Sequence, residues 1–267
     1  MAIGLLLVLP QGANVDSGFY AACAGLRAQS QALEVVAHNL ANLNTAGFRG
    51  QQTTFQSLVA VSRPGIPNVL SSVLNSATNN FGVLEGTCLD MTAGNLEATG
   101  NPLDVGIEGS GFFAIQTAHG TRYTRNGSFR VSSSGVLVTA AGDPVLGDPA
   151  LGAKGVINVP AGAVSIASDG TLSVNGAVAG SIQLAEFAPG TRLTSEGGTL
   201  IAAPEGSAKR VPQPTVRQGA LESSNVNSIG AVVTLIGVQR QAEMMQRAMS
   251  LFDTEFEQIA SNTLAKV

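Results

Sequence analysis

The C-terminal end constrains this chain most. Ala231, Leu235, Val238, Ala242, Met245, Met249, Phe252, Phe256 and Ile259 step by four and three residues throughout. That spacing is the a/d pattern of a helix with one apolar seam, about four heptads long. Asn227 or Ser228 is placed to cap its start. Gly230 and Gly237 each weaken the helix by about 1 kcal/mol against Ala. A helix of this kind depends on packing partners more than on intrinsic propensity.

The N-terminal end carries a second seam. Phe19, Ala22, Leu26, Leu33, Val36, Leu40 and Leu43 fall on the same alternating steps, with Gln29 in the remaining slot. The pattern predicts a helix that stops near Ala46. Gly47 then takes the left-handed conformation past the end, and Phe48 folds back onto Leu43. Asn39, Asn42 and Asn44 suit a helix end, where their amides can bond loose backbone groups, better than an interior. Periodicity leaves two readings of the seams equally open. Both face one intramolecular core, or they pair with each other and with neighbouring copies.

Between the helical ends, residues 91–217 read as β. Short Val, Ile and Leu runs are punctuated by Asn126-Gly127, Ser134-Gly135, Asp169-Gly170 and Asn175-Gly176, all hairpin signals. Residues 155–159, 163–166 and 171–174 have strand length. Residues 60–90 mix Ser, Asn, Pro and Gly without period and read as an extended connector. The expected architecture is α+β. Residues 15–59 and 218–267 form a helical terminal domain with a coiled-coil-like stem, and the β-rich domain of residues 91–217 is inserted between them.

Composition removes several function classes. Charged residues make up only 12% of the 267, and the net charge of −4 comes without a Lys/Arg cluster. Nucleic-acid binding has no electrostatic footprint here. The apolar run Ile3–Leu9 is too short to span a bilayer, so no membrane insertion is expected. Cys23 and Cys88 fit neither a disulfide framework nor a metal spacing, and His38 and His119 add no ligand set. No metal or cofactor is expected. Gly109-Ser110-Gly111 has neither the spacing of a nucleophile elbow nor the surroundings of a dinucleotide loop. Asp104 and Glu108 have nothing to set them across a cleft. An enzyme is therefore not expected, and no catalytic residues are assigned.

Several blocks point to a family. Asn39-Leu-Ala-Asn42-Leu-Asn44-Thr45-Ala-Gly47-Phe48 follows the first helix. Gly100-Asn101-Pro102-Leu103-Asp104, Glu108-Gly109-Ser-Gly111-Phe112-Phe113 and Tyr123-Thr124-Arg125-Asn126-Gly127-Ser128-Phe129 come next. Gln218-Gly219-Ala220-Leu221-Glu222 and Ser224-Asn225-Val226-Asn227 precede the C-terminal heptads. In this order the blocks resemble those of the flagellar basal-body rod and hook proteins. Among the rod members, residues 157–160 and 169–171 are most similar to the proximal-rod protein, with the distal-rod protein as the alternative. The family's usual aromatic-acidic pair after Gln239-Arg240 is replaced here by Gln241-Ala242-Glu243.

The resemblance implies a structural subunit that assembles with itself and with other rod subunits. It also implies export through the flagellar type III apparatus without a cleaved signal, and a place in the periplasmic part of the basal body. The residues expected to carry assembly are Leu26, Leu33, Val36, Asn39, Leu40, Asn42, Asn44, Thr45, Gly47 and Phe48 from the first end, then Gly111, Phe112 and Phe113. From the second end they are Asn225, Val226, Asn227, Leu235, Val238, Met245, Met249, Phe252, Phe256 and Ile259. Core packing accounts for the same seams equally well. The competing class is a secreted β-rich adhesin or binding module, which has no need of heptads at both ends.

The organised pattern begins at Val15, so residues 1–14 are expected to be an extension ahead of the true translation start. Mass spectrometry of the native N-terminus checks this, and a protein that begins at Met1 rules it out.

Overall fold

Helix α1 spans Ala13–Ala41 in a computed structural model that describes residues 13–56, 83–149 and 155–264. Its buried stripe is Gly25, Ala28, Ala32 and Val35, again on steps of three and four. This lies one position from the predicted seam, whose Leu26, Leu33, Val36 and Leu40 are only half-buried. The Gly/Ala stripe is thus more deeply buried than the leucines beside it.

The helix also ends before Ala46. Residues 42–47 are turns, because the asparagines bond elsewhere than in the helix ladder. Asn39 Nδ2 donates to the Gln51 carbonyl at 2.8 Å, and its Oδ1 accepts the Gln51 N–H at 2.8 Å. Asn42 Nδ2 donates to the His38 carbonyl, one of the loose groups at the helix end. Gly47 is left-handed at φ 67°, but it belongs to the loop beyond the helix rather than to a cap. Phe48 stacks on His38, with ring centroids 5.5 Å apart.

Two strands lie where none is expected, one within the helical terminal domain of residues 15–59 and one within the connector of residues 60–90. Strand β1 (Gln51–Gln56) pairs with β2 (Val83–Leu89) in a two-stranded sheet. Residues 1–12 and 60–82, expected to be extension and connector, lie outside the described residues.

The chain divides into two compact units. Among the described residues, one comprises 13–37, 53–56, 83–87 and 232–264, the other 38–52, 88–149 and 155–231. The second is the β unit, and it takes in more of both helical ends than residues 91–217 alone. Antiparallel pairs bring remote strands together at its base. Strand β3 (Leu96–Ala98) pairs with β17 (Ala220–Glu222), and β4 (Val105–Ile107) with β16 (Val216–Gln218).

A six-stranded sheet runs in the order β13 (Thr194–Ser195), β14 (Ile201–Ala202), β6 (Gly120–Thr124), β5 (Phe112–Thr117), β12 (Leu184–Phe187), β15 (Ala208–Arg210). Beside it are the hairpin of β7 (Phe129–Val131) with β8 (Leu137–Thr139), and a three-stranded sheet β11 (Ala177–Ser181), β10 (Thr171–Val174), β9 (Val164–Ile166). Alternation places Leu172 and Val174 inward from β10, as period two requires. The core gathers Val105, Phe113, Ile115, Phe129, Leu137 and Leu172 with other apolar residues. Phe113 meets Phe129 edge-to-face at 5.0 Å.

Three of the four turn signals sit in hairpins. Asn175 (φ 52°) and Gly176 (φ 85°) form the two-residue turn of β10–β11, both left-handed as a type I′ turn demands. Ser134-Gly135 turns β7 into β8 and Asp169-Gly170 turns β9 into β10. Asn126-Gly127 differs, because it links two sheets. A Cβ on Gly127 would lie 1.8 Å from the Val105 carbonyl oxygen, so the glycine is required by backbone approach, not by φ.

Gly127→Ala is therefore expected to cost about 3 kcal/mol or more, since the clash is with backbone. Gly176→Ala meets open space and is expected to cost only about 1 kcal/mol of left-handed strain. Urea unfolding midpoints of the two variants test the ranking.

Candidate functional site

In a chain with few charges, three are buried together. Glu222 lies on β17 in phase with buried Ala220, so the strand turns its carboxylate inward. Oε1 accepts from Arg49 Nη2 at 2.7 Å, and Oε2 accepts from Arg125 Nη1 at 2.9 Å. The side chains of Arg49 and Glu222 are each 1% exposed and that of Arg125 is 5% exposed. Oε1 also accepts the Gly94 N–H at 2.8 Å. Arg125 Nη2 donates to the Gly109 carbonyl at 2.7 Å, and its guanidinium lies over the Phe112 ring at 5.2 Å. Burial pushes the Arg125 guanidinium down from its ordinary value, Glu222 draws it back up, and Arg49 pushes it down again.

Backbone bonds tie this triad to both helical ends. The Gly47 N–H donates to the Glu222 carbonyl at 2.7 Å. A Cβ at Gly47 would fall 2.2 Å from the Asn126 nitrogen, so the loop lies directly on the Arg125 segment. Asn225 Oδ1 accepts the Gly50 N–H at 2.8 Å, while its Nδ2 donates to the carbonyls of Asp90 and Thr92, each at 3.0 Å. The Asp90 N–H returns to the Gly50 carbonyl. Burial acts to raise the Asp90 carboxyl, but bonds from Thr92 and Gln52 and the charge of Arg49 together hold it below its ordinary value.

Beyond this junction runs helix α2, Ser228–Leu264. Asn227 caps it, its Oδ1 accepting the Gly230 N–H at 2.8 Å. Ala231, Leu235, Val238, Ala242, Met245 and Met249 are half-buried, and among its described side chains none is fully buried. Ile229, Val232, Val233, Ile236, Met244 and Leu251 are exposed, reaching 77% at Ile229. At about 100° per residue the two sets fall on opposite sides of the helix. The exposed side is interrupted by Arg240 and Arg247. Phe252, Phe256 and Ile259 lie further along the same helix.

The structure thus brings Asn39, Gly47, Phe48, Phe112 and Asn225 to one junction, with Asn42 and Thr45 bonded to each other in the adjoining turn at 3.1 Å. Asn44 is exposed, Val226 is half-buried, and left-handed Gly111 precedes Phe113 of the core. The doubted carboxylates are apart in role. Asp104 is buried on Thr99 and Asn101, and Glu108 pairs at the surface with Arg217. Sequence reasoning passed over Arg49, Arg125 and Glu222. The available signal was a glutamate in strand phase with an inward alanine.

Three segments of the chain match families of known proteins. Residues 19–49 match the family described as flagella basal body rod protein. Residues 106–174 match the flagellar hook protein FlgE/F/G D1 domain, and residues 217–262 the flagellar basal body rod FlgEFG protein C-terminal. The chain is 34% identical to the flagellar basal-body rod protein FlgF of Escherichia coli, over 90% of this chain and 95% of that one. It is 32% identical to the FlgF protein of Mesorhizobium japonicum, over 93% and 100%. It is also 33% identical to the flagellar basal-body rod protein FlgG of Agrobacterium fabrum, over 91% and 97%. Each matched segment contributes one member of the triad: Arg49, Arg125 and Glu222 in turn.

The triad holds two cations and one anion. Glu222→Gln leaves two buried guanidiniums without a counter-charge and is expected to cost about 3–5 kcal/mol. Arg49→Met or Arg125→Met leaves a neutral pair and is expected to cost less. Denaturant unfolding ranks them, and arginine variants as damaging as Glu222→Gln would contradict the charge count.

Proposed function

The chain belongs to the flagellar basal-body rod protein family, and from that premise we propose that α2 is the surface by which it joins neighbouring subunits. It is a structural subunit of the rod in the flagellar basal body, assembling with other rod components. No described helix is long and apolar enough to cross a membrane.

The two-faced apolar character of α2 supports this reading of assembly. At 37 residues the helix extends about 55 Å, and exposed apolar side chains from Ile229 to Leu251, with Arg240 and Arg247 among them, mark an interaction surface. One face, the seam from Ala231 to Met249, packs in a coiled-coil-like stem with α1. The opposite face, from Ile229 to Leu251, packs on neighbouring subunits. A head-to-tail contact of this kind that does not close into a ring grows as a helical filament.

The proposal extends to route and place. The subunit passes through the flagellar type III export apparatus to the periplasmic part of the basal body without a cleaved signal. Gly230 and Gly237 favour that route, since a helix stable only on assembly travels unfolded more readily. Within the rod it takes the proximal position. Similarity to the FlgF proteins of Escherichia coli and Mesorhizobium japonicum supports this, while similarity to the FlgG protein of Agrobacterium fabrum supports a distal position.

Val233→Asp and Ile236→Asp are expected to change monomer stability by no more than about 0.5 kcal/mol, as exposed positions do. Neither variant should restore swimming to an in-frame deletion strain. Normal swimming with either one would remove α2 from the joint. Electron microscopy of basal bodies from the deletion strain tests the position. A missing proximal segment supports the proximal place, a short stub the distal one, and a complete rod and hook refutes a role in the rod.

A further inference from the structure

We propose that Glu222 is a positioning residue that makes docking of the loop leaving α1 conditional on arrival of the segment that leads into α2. The proposal rests on the rod reading only in taking these two helices as the ones that enter assembly.

Without Glu222, Arg49 and Arg125 would be two buried guanidiniums, each opposing the charge of the other. Desolvating such a pair without an anion is prohibitive, so the loop carrying Arg49 has reason to stay in water. The carboxylate is delivered only by strand register. Glu222 stands opposite Leu96 in the β3–β17 pair, the Ser223 N–H donates to the Asn95 carbonyl at 2.7 Å, and the Gly94 N–H reaches Oε1. A Cβ at Gly94 would lie 2.0 Å from the Ser223 carbonyl oxygen, so this approach admits no other residue there without a shift.

Once β17 is paired, the loop has its partners. Arg49 meets Oε1, the Gly47 N–H meets the Glu222 carbonyl, and the Gly50 N–H meets Asn225. The Asn225 N–H in turn donates to the Phe48 carbonyl at 3.4 Å. The exit from α1 and the approach to α2 are therefore fixed in a single event, in which one carboxylate bridges cations from two earlier parts of the chain. A merely structural ion cluster would stabilise the whole β unit evenly. A conditional dock stabilises the loop selectively.

The test is residue-resolved amide exchange on the purified full-length chain and its Glu222→Gln variant. The expected result is exchange at least about tenfold faster at Gly47, Gly50, Gln51 and Gly94, with β5, β6, β10 and β11 keeping their rates. Unchanged rates at those four amides, or equal acceleration everywhere, overturns the proposal.

A second variant decides the matter even if Glu222→Gln does not fold. The triple replacement Arg49→Met, Arg125→Met, Glu222→Leu removes all three charges. It is expected to return protection to Gly47 and Gly50, and failure to do so also overturns the proposal. These measurements use the isolated subunit, so they stand or fall independently of swimming and basal-body assays, which test the rod reading.

Discussion

One carboxylate shared by two guanidiniums holds the junction of this fold. Glu222 meets Arg125 from 97 positions away and Arg49 from 173 positions away. Both bonds are buried and charge-assisted, the strong kind. A buried pair of opposite charges is often no better than a well-packed apolar substitute, so the triad's value lies in what it specifies. Its bonds have direction, and they are satisfied only when β17 is in register with β3 and the Gly47–Gly50 loop lies against Asn126. An apolar cluster of equal volume would accept a range of arrangements.

Helix α2 presents the opposite kind of surface. Its apolar residues occupy two opposing sides, and the isolated subunit leaves one of them in water. Burial is worth about 25 cal/mol per Å², so stability that the lone chain forgoes is available on association. The β unit has its own core around Phe113, Ile115, Leu137 and Leu172. Self-sufficient packing in the middle and exposed apolar surface at the end are therefore written into one chain.

The sequence made local features legible and remote ones obscure. Asn175-Gly176 announced its hairpin because a type I′ turn is decided by two residues alone. Asn126-Gly127 carried the same signal and misled, because Val105, more than twenty positions earlier, dictates the glycine. The α2 seam was legible because a long heptad pattern repeats itself. The end of α1 was placed late because Asn39 bonds to Gln51, beyond any local cap. Its deepest stripe was missed because Gly25, Ala28 and Ala32 are small, and apolar pattern weights large side chains. The triad stayed hidden because no local pattern pairs Arg49 with a glutamate near the far end. Arg125 and Glu222 both lay inside blocks already recognised as family-like, where they passed as ordinary polar positions.

A hydrogen-bonded, charged junction and an apolar helix do different work. Apolar packing along a helix is non-directional and tolerates sliding, whereas hydrogen bonds are satisfied in few arrangements. The directional bonds of this chain gather in the segment that leads into α2. That is where Asn227 caps the first turn, Asn225 bonds to Gly50, Asp90 and Thr92, and Glu222 joins the two arginines. Directional bonds thus fix the approach to α2, and the permissive apolar surface is left to its length.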